Sequence, residues 1–362
     1  MALLFSESFG AYSVVADLLS YGISDSASQA TDSIDSVGGY NAAPAYKGLT
    51  SASSGSATLL FPYVFAPASN ELRFGFWVKT SSGAVGDGNA NSKGVLIFFD
   101  STLVKWMGVR LSGTGKIGWT NLKGGVSSAI DYTGAISVND GQHHWIEGRV
   151  VLGAASNGTV QTWVDGVQDI NQTAVTNDGG LGLTCTSMVR LQLGYTFVAN
   201  ASSQWLSHVM VWDTSGTILN GYLGPARIEY LIPNAAGTNA QLTPTSGANY
   251  TTVNEQVQNF DTSYVEGATS GLIDTYNYGN LSSTALTVKA VAVKTFAKNA
   301  DVGAKTFRAK CLSGATYGNG VDQTLSPAYK QFLEVYHTDP NTAAAWTAAG
   351  VNAAEFGVEV RP

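Results

Sequence analysis

Residues 142–166 read QHHWIEGRVVLGAASNGTVQTWVDG, and this stretch decides the fold. Residues 144–152 and 160–164 are rich in Val, Trp and Thr, side chains that suit a pleated, half-buried surface. The turn-forming residues 154–158 join the two runs. Asp165-Gly166 ends the second with a dipeptide favoured in tight hairpin turns. The pattern predicts two antiparallel strands of a sandwich.

Working outward, residues 59–65 and 72–80 begin a run of strands. In the second, Leu72, Phe74, Phe76 and Val78 share one face while Arg73, Gly75, Trp77 and Lys79 share the other. Residues 95–100 and 106–111 read as a hairpin, 116–122 as a further strand, and 24–39 as a surface excursion poor in large apolar residues. Breakers at 213–225 mark a domain boundary. Beyond it, strands are expected at 226–232, 286–296, 305–312, 330–337 and 356–360, with 286–296 central because both its faces are largely apolar. Ala-rich residues 343–354 predict one or two helical turns. The fold class expected is all-β, two tandem β-sandwich (jelly-roll) domains at 1–222 and 223–362, the second with one short helix.

Bulk properties narrow the function. The chain has 362 residues, enough for two cores. Only 12% are charged and 41 are Gly, against the ~25% charge of ordinary soluble proteins. Such a neutral, hydrogen-bonding surface suits a permanent assembly or a carbohydrate face. The net charge of −7 without a Lys or Arg cluster argues against nucleic acid. No apolar run approaches the ~20 residues of a membrane helix, and the N-terminus lacks a basic region and a long apolar core, so neither a membrane anchor nor a signal peptide is expected. Cys185 and Cys311 share no spacing with other ligands, which points to free, buried thiols.

Several phrases resemble known families. The wording H-H-W-I-E-G-R-V and V-Q-T-W-V-D-G, with L-Q-L-G at 191–194 and W-L-S-H-V-M-V-W-D at 205–213, is similar to laminin-G-like and concanavalin A-like jelly rolls over residues 72–213. L-G-P-A-R-I, V-G-A-K-T-F-R, H-T-D-P-N-T and V-N-A-A-E-F-G-V-E-V resemble the C-terminal module of structural proteins of tailed bacteriophages, and the opening M-A-L-L-F and E-S-F-G-A-Y is similar too. The resemblance implies a virion component at the tail or, next, a capsid decoration, made in the host cytoplasm and released by lysis. It carries no site motif. Because particle positions are symmetric, a homo-oligomer contacting other virion proteins is expected, a trimer first.

Few residues fall into a pattern that carries chemistry. Glycosidases on this fold need carboxylates close together across the scissile bond, and no E-x-D-x-x-E pattern occurs. Glu355 with Glu359 reads as surface charge and Asp165 with Asp169 as turn chemistry. His143 and His144 point to opposite faces, which opposes a shared metal, while His208 alternates with Leu206, Met210 and Trp212 as a core or interface residue. Gly113 to Gly118 spells G-x-G-x-x-G but leads into a strand, so it reads as a hairpin turn. No cofactor is implied. Asp87, Asp100 and Asp178 lie in loops that could take Ca²⁺, without the oxygen-rich run of a calcium loop. Trp77 and Trp163 alternate with polar neighbours and are the outward aromatics on which a sugar ring could stack. The reading is therefore a non-enzymatic virion structural protein; a glycan-binding receptor module is the alternative and a polysaccharide hydrolase the third.

Overall fold

The computed structural model describes residues 3–20, 23–25, 30–50, 58–61, 67, 69–81, 93–99, 105–121, 131–153, 155–175, 190–194, 202–215 and 220–362. The chain divides into two units, Met1–Ile228 and Glu229–Pro362.

The first unit contains β1 (Leu3–Glu7), α1 (Val15–Ser20), β2 (Ser24–Asp25), β3 (Ala30–Asp35), β4 (Ala45–Thr50), β5 (Thr58–Phe61), β6 (Glu71–Thr80), β7 (Lys93–Phe99), β8 (Lys105–Leu111), β9 (Lys116–Asn121), β10 (Tyr132–Ser137), β11 (His143–Val151), β12 (Gly158–Val164), β13 (Val167–Val175), β14 (Arg190–Gly194) and β15 (Ser202–Trp212). Eight of the strands form one antiparallel sheet in the order β13-β12-β11-β6-β15-β4-β3, with β1 also pairing β15; seven form a second, β10-β9-β8-β7-β14-β5-β2. The two sheets close on a shared apolar core, as the alternation in β6 and β12 requires. Phe74 of the first sheet lies 5.8 Å from Phe98 and 5.5 Å from Trp119 of the second, and Trp119 Nε1 donates to Thr162 Oγ1 across the gap at 2.6 Å. The chain is thus the all-β protein expected. The quoted hairpin is β11 and β12, and the Asp165-Gly166 turn that follows it, joining β12 to β13, has positive φ at both residues. Gly115 likewise takes a positive φ in the β8–β9 hairpin, so the G-x-G-x-x-G run is a turn.

Some expectations are corrected. Residues 24–39 are not a mere surface excursion: β2 and β3 extend the two sheets at their edges, where short polar strands can pair without a full apolar face. Residues 223–228, which the sequence reading assigns to the second half, pack on the first unit through contacts described below. The expected loop carboxylates Asp87, Asp100 and Asp178, and Cys185, lie outside the described residues.

The second unit holds β16 (Pro233–Ala240), β17 (Thr243–Pro244), β18 (Val265–Glu266), β19 (Ile273–Tyr278), β20 (Val291–Ala297), β21 (Thr306–Ser313), β22 (Thr316–Asn319), β23 (Gln323–Thr324), β24 (Lys330–Tyr336), α2 (Ala348–Ala353) and β25 (Glu355–Arg361). A six-stranded sheet, β16-β19-β25-β21-β22 with β23 on β21, stands with two two-stranded ribbons, β17-β18 and β20-β24. Val293, Cys311, Tyr336, Trp346, Val351 and Phe356 build its core. Two predictions differ. No strand forms at 226–232, and residues 286–290 precede β20, which is half of a ribbon and not a central strand. The apolar residues on both faces of that stretch serve packing: Val288 and Val291 lie against the core cluster. The short helix is present as α2, capped by Thr347, whose side chain accepts from the Gly350 amide at 2.9 Å.

Candidate functional site

The face of the eight-stranded sheet turned away from the core is unusually rich in aromatic and charged side chains. Register arranges them in rows across the strands. One row is Lys47, Trp205, Lys79 and His143; the next is Ser207, Trp77 and Trp145. A third is Met210, Gly75, Glu147, Trp163 and Gln168, and a fourth Trp212, Arg73, Arg149, Gln161 and Asn171. Strand spacing sets neighbours in a row ~4.8 Å apart. Gly75 is required here: a Cβ at this position would collide with the Trp145 indole that lies across it.

From Arg73 to Asn171 the fourth row is a hydrogen-bonded ladder, its two arginines bridged by Glu71. Arg149 donates to both oxygens of Glu71 (2.9 and 2.8 Å) and to Gln161 Oε1 (3.0 Å); Arg73 Nε donates to Glu71 Oε1 (2.7 Å), and Gln161 Nε2 to Asn171 Oδ1 (2.8 Å). Burial would raise the Glu71 carboxyl, but the two guanidiniums hold it below its ordinary value.

The middle rows are covered by the chain itself. Tyr40 lies flat on Trp77, ring centres 3.5 Å apart and 3° from parallel. Residues 222–228 cross the same face as a strap. Trp77 Nε1 donates to Ala226 O at 2.7 Å, and the Ile228 amide donates to His208 Nδ1 at 3.1 Å. The Leu223 and Gly224 amides donate to Glu147 (2.7 and 3.1 Å), as does Trp145 Nε1 (3.2 Å). Leu223, Trp77, Trp145, Met210 and Trp212 form an apolar cluster around these bonds.

Glu147 is 2% exposed. Burial pushes its carboxyl up to about 7, against the three N–H donors and Arg73 that favour the anion. Tyr222, at the outer end of the strap, is pushed up to about 12 by burial first and then by the Glu147 and Asp165 charges. A carboxyl poised near neutrality beside Trp rings is the arrangement that acid–base chemistry uses.

His208 owes its place to a β-bulge. Between Ser207 and Met210 the register slips by one residue, and His208 takes φ 51°. Its extra residue inverts the alternation, so Leu206, Val209 and Val211 face the core whereas Met210 and Trp212 join the outer cluster. The expectation that His208 shares a face with Leu206 is corrected by this slip. Burial pushes its imidazole down to about 4, and the neutral ring accepts at Nδ1 while Nε2 faces Tyr40 O at 3.4 Å.

Of the two aromatics singled out in the sequence, both lie on the outer face. Trp77 is only 6% exposed, because Tyr40 and the strap cover it. Trp163 is half-buried, its ring 5.2 Å from that of Tyr222 and next to the Gln161–Asn171 ladder. His143 and His144 part as expected: His143 Nε2 meets Gly38 O at 3.0 Å, and His144 lies between Asp165 (2.7 Å) and Asp140 (3.0 Å), carboxylates that raise its pKa although burial opposes them. Asp165 also accepts from the Trp145 amide, and Asp169 from those of Ala135 and Ile136. Glu359 is not surface charge; it is 6% exposed and ringed by Arg308, Lys310 and Arg361. Among the described residues no group of three or more His, Cys, Asp or Glu side chains could hold a metal ion. Sequence reasoning missed Glu147, Trp205 and the Arg73–Arg149 ladder, whose one legible signal was their shared parity with Trp77 and Trp163.

No protein-family model matches the chain, and no curated protein matches it by sequence. Solved structures do. The endo-β-1,4-glucuronan lyase of Trichoderma reesei matches 59% of this chain and 96% of its own at 12% identity and TM-score 0.42. The alginate lyase of Aplysia kurodai matches 59% and 100% at 9% identity and TM-score 0.40. A carbohydrate esterase of the Shiga toxin-encoding bacteriophage phi24B matches 58% and 97% at 12% identity and TM-score 0.38. These neighbours correct one expectation: with polysaccharide lyases among the folds it resembles, the reading of the chain as non-enzymatic does not stand.

Proposed function

We propose that the unit Met1–Ile228 is a carbohydrate-directed sandwich that engages a polysaccharide along the outer face of its eight-stranded sheet. One observation carries the reading: half-buried Trp163 stands one row from a ladder of Arg149, Gln161 and Asn171. An indole face offers apolar stacking to a sugar ring, while planar amide and guanidinium groups beside it match the in-plane hydrogen bonds of hydroxyls. The low charge of the chain suits such a ligand. The setting in this proposal is a tailed-phage particle, with the domain turned to a host surface glycan and repeated by homo-oligomerisation; it is carried over from the resemblance read in the sequence, and no family model or curated protein matches to support it.

The test is a glycan array followed by titration of the selected oligosaccharide. Wild-type protein is expected to retain at least one polysaccharide class, and Trp163→Ala to weaken it about tenfold or more without lowering the melting temperature by more than a few degrees. Equal binding by wild type and variant removes the platform.

A second reading, polysaccharide cleavage, is favoured by Glu147, whose carboxyl near pKa 7 could give or take a proton once the strap lifts. Release of new chain ends from the bound glycan, lost in Glu147→Gln, is its expected signature. A glycan that is bound and left intact refutes it.

A further inference from the structure

The outer face carries a concentrated positive charge at one end. Lys47 of β4 and Lys79 of β6 flank Trp205 of β15 in one register row. Their ammonium groups lie 5.1 and 5.4 Å from the centre of the Trp205 ring, within cation–π range. Trp205 Nε1 donates to Asp35 Oδ2 at 2.8 Å, which fixes the ring against the end of β3. The next side chain in the row, His143, is kept from adding charge: burial, then the Lys79 ammonium, lower its pKa. Two cations therefore share one ring, in a chain whose net charge is −7. An anion placed beside this ring would meet two positive charges brought to it by one register row.

We propose that Lys47, Trp205 and Lys79 form a subsite for the acidic substituent, carboxylate or sulfate, of a polysaccharide lying across the strands. The inference rests on the carbohydrate reading above and adds the ligand's charge class. Lys47, Trp205 and Lys79 are half-buried, not fully enclosed, so their heads can turn to a ligand while their stems stay on the sheet. Trp205 acts by holding both lysines in one row; the charges do the selecting.

The experiment titrates the full chain with three probes of similar length, an oligogalacturonate, a sulfated oligosaccharide and a neutral oligoglucoside, at low and moderate salt. The expected result is tighter binding of at least one acidic probe, weakening with salt. Lys47→Gln/Lys79→Gln should lower that affinity about threefold to tenfold, the range two part-exposed charge contacts supply, and leave the neutral probe unaffected. Which acidic probe wins separates carboxylate from sulfate. If the double variant fails to fold, Lys47→Gln and the charge reversal Lys47→Glu carry the test, because β4 is remote from the core of the quoted hairpin. Neutral binding with no acidic preference, or a preference that the lysine variants leave intact, overturns the subsite while sparing the carbohydrate reading. Binding of none of the probes overturns the subsite, and the carbohydrate reading falls with it only if the glycan array also retains nothing.

Discussion

Two buried carboxylates, one in each unit, have opposite characters. Glu147 sits under a strap among Trp rings, receives backbone and indole N–H groups, and is raised to about 7. Glu359 is almost as hidden, yet Arg308 and Lys310 reach one of its oxygens at 2.8 and 2.5 Å and Arg361 the other at 3.1 Å; these cations outweigh burial and hold its carboxyl below its ordinary value. The difference teaches that burial alone does not decide a carboxylate's state. Full positive charge outweighs desolvation; partial charge on amides does not. The first carboxyl is suited to exchanging a proton at neutral pH and the second to fixing a sheet.

The strongest way to break the comparison is to remove Glu359. Glu359→Ala leaves Arg308, Lys310 and Arg361 facing one another, with Lys310 retaining Asn319 at 2.8 Å and the Tyr317 ring. The expected loss is about 3–5 kcal/mol, read as faster hydrogen exchange of the β21 and β25 amides. A loss below about 1 kcal/mol would mean that Glu359 is only a surface ion pair.

The pH dependence tests the other half. Glu147 has a folded pKa above its unfolded value, so its stabilisation is complete below about pH 4.5 and is lost as pH rises through 7. His208 runs the opposite way: with a folded value near 4, its contribution is present above pH 6.5 and lost as pH falls. The two slopes nearly cancel between pH 4.5 and 6.5 in the wild type. Glu147→Gln removes one, so the wild-type advantage over the variant should shrink by about 3 kcal/mol between pH 4.5 and 7. Denaturant melts at four pH values would show it. For Glu359 the corresponding loss lies below pH 4.5, because its folded value is lowered.

How far these sites were legible follows from the distance over which they are built. The alternation in β12, whose buried and half-buried residues strictly alternate, is a local property and was readable, as was the outward parity of Trp77 and Trp163. The character of Glu147 was not, since its partners Leu223 and Gly224 lie 76 and 77 residues away in a stretch that reads as a linker. His208 escaped because a single inserted residue reverses the alternation that sequence patterns assume. Glu359 looked solvent-facing because its cations come from a neighbouring strand and from the chain end. Pattern reading finds faces, whereas what covers a face is a long-range fact.

The smallest expected effect sharpens the comparison most, because it separates cover from partner. Tyr222 is exposed, and its ring meets Trp163 without bonding Glu147. Tyr222→Ala should therefore cost under about 1 kcal/mol of stability and leave the three N–H donors to Glu147 in place. What it changes is water access at the end of the strap. If desolvation is what raises Glu147, the variant's pH slope between 4.5 and 7 becomes shallower than the wild type's and the Trp163 face becomes more available, so the titrated oligosaccharide binds no worse. An unchanged slope would mean that the cover over Glu147 is supplied by Leu223 and the Trp cluster alone, and that the strap's outer end plays no part in setting the carboxyl's state.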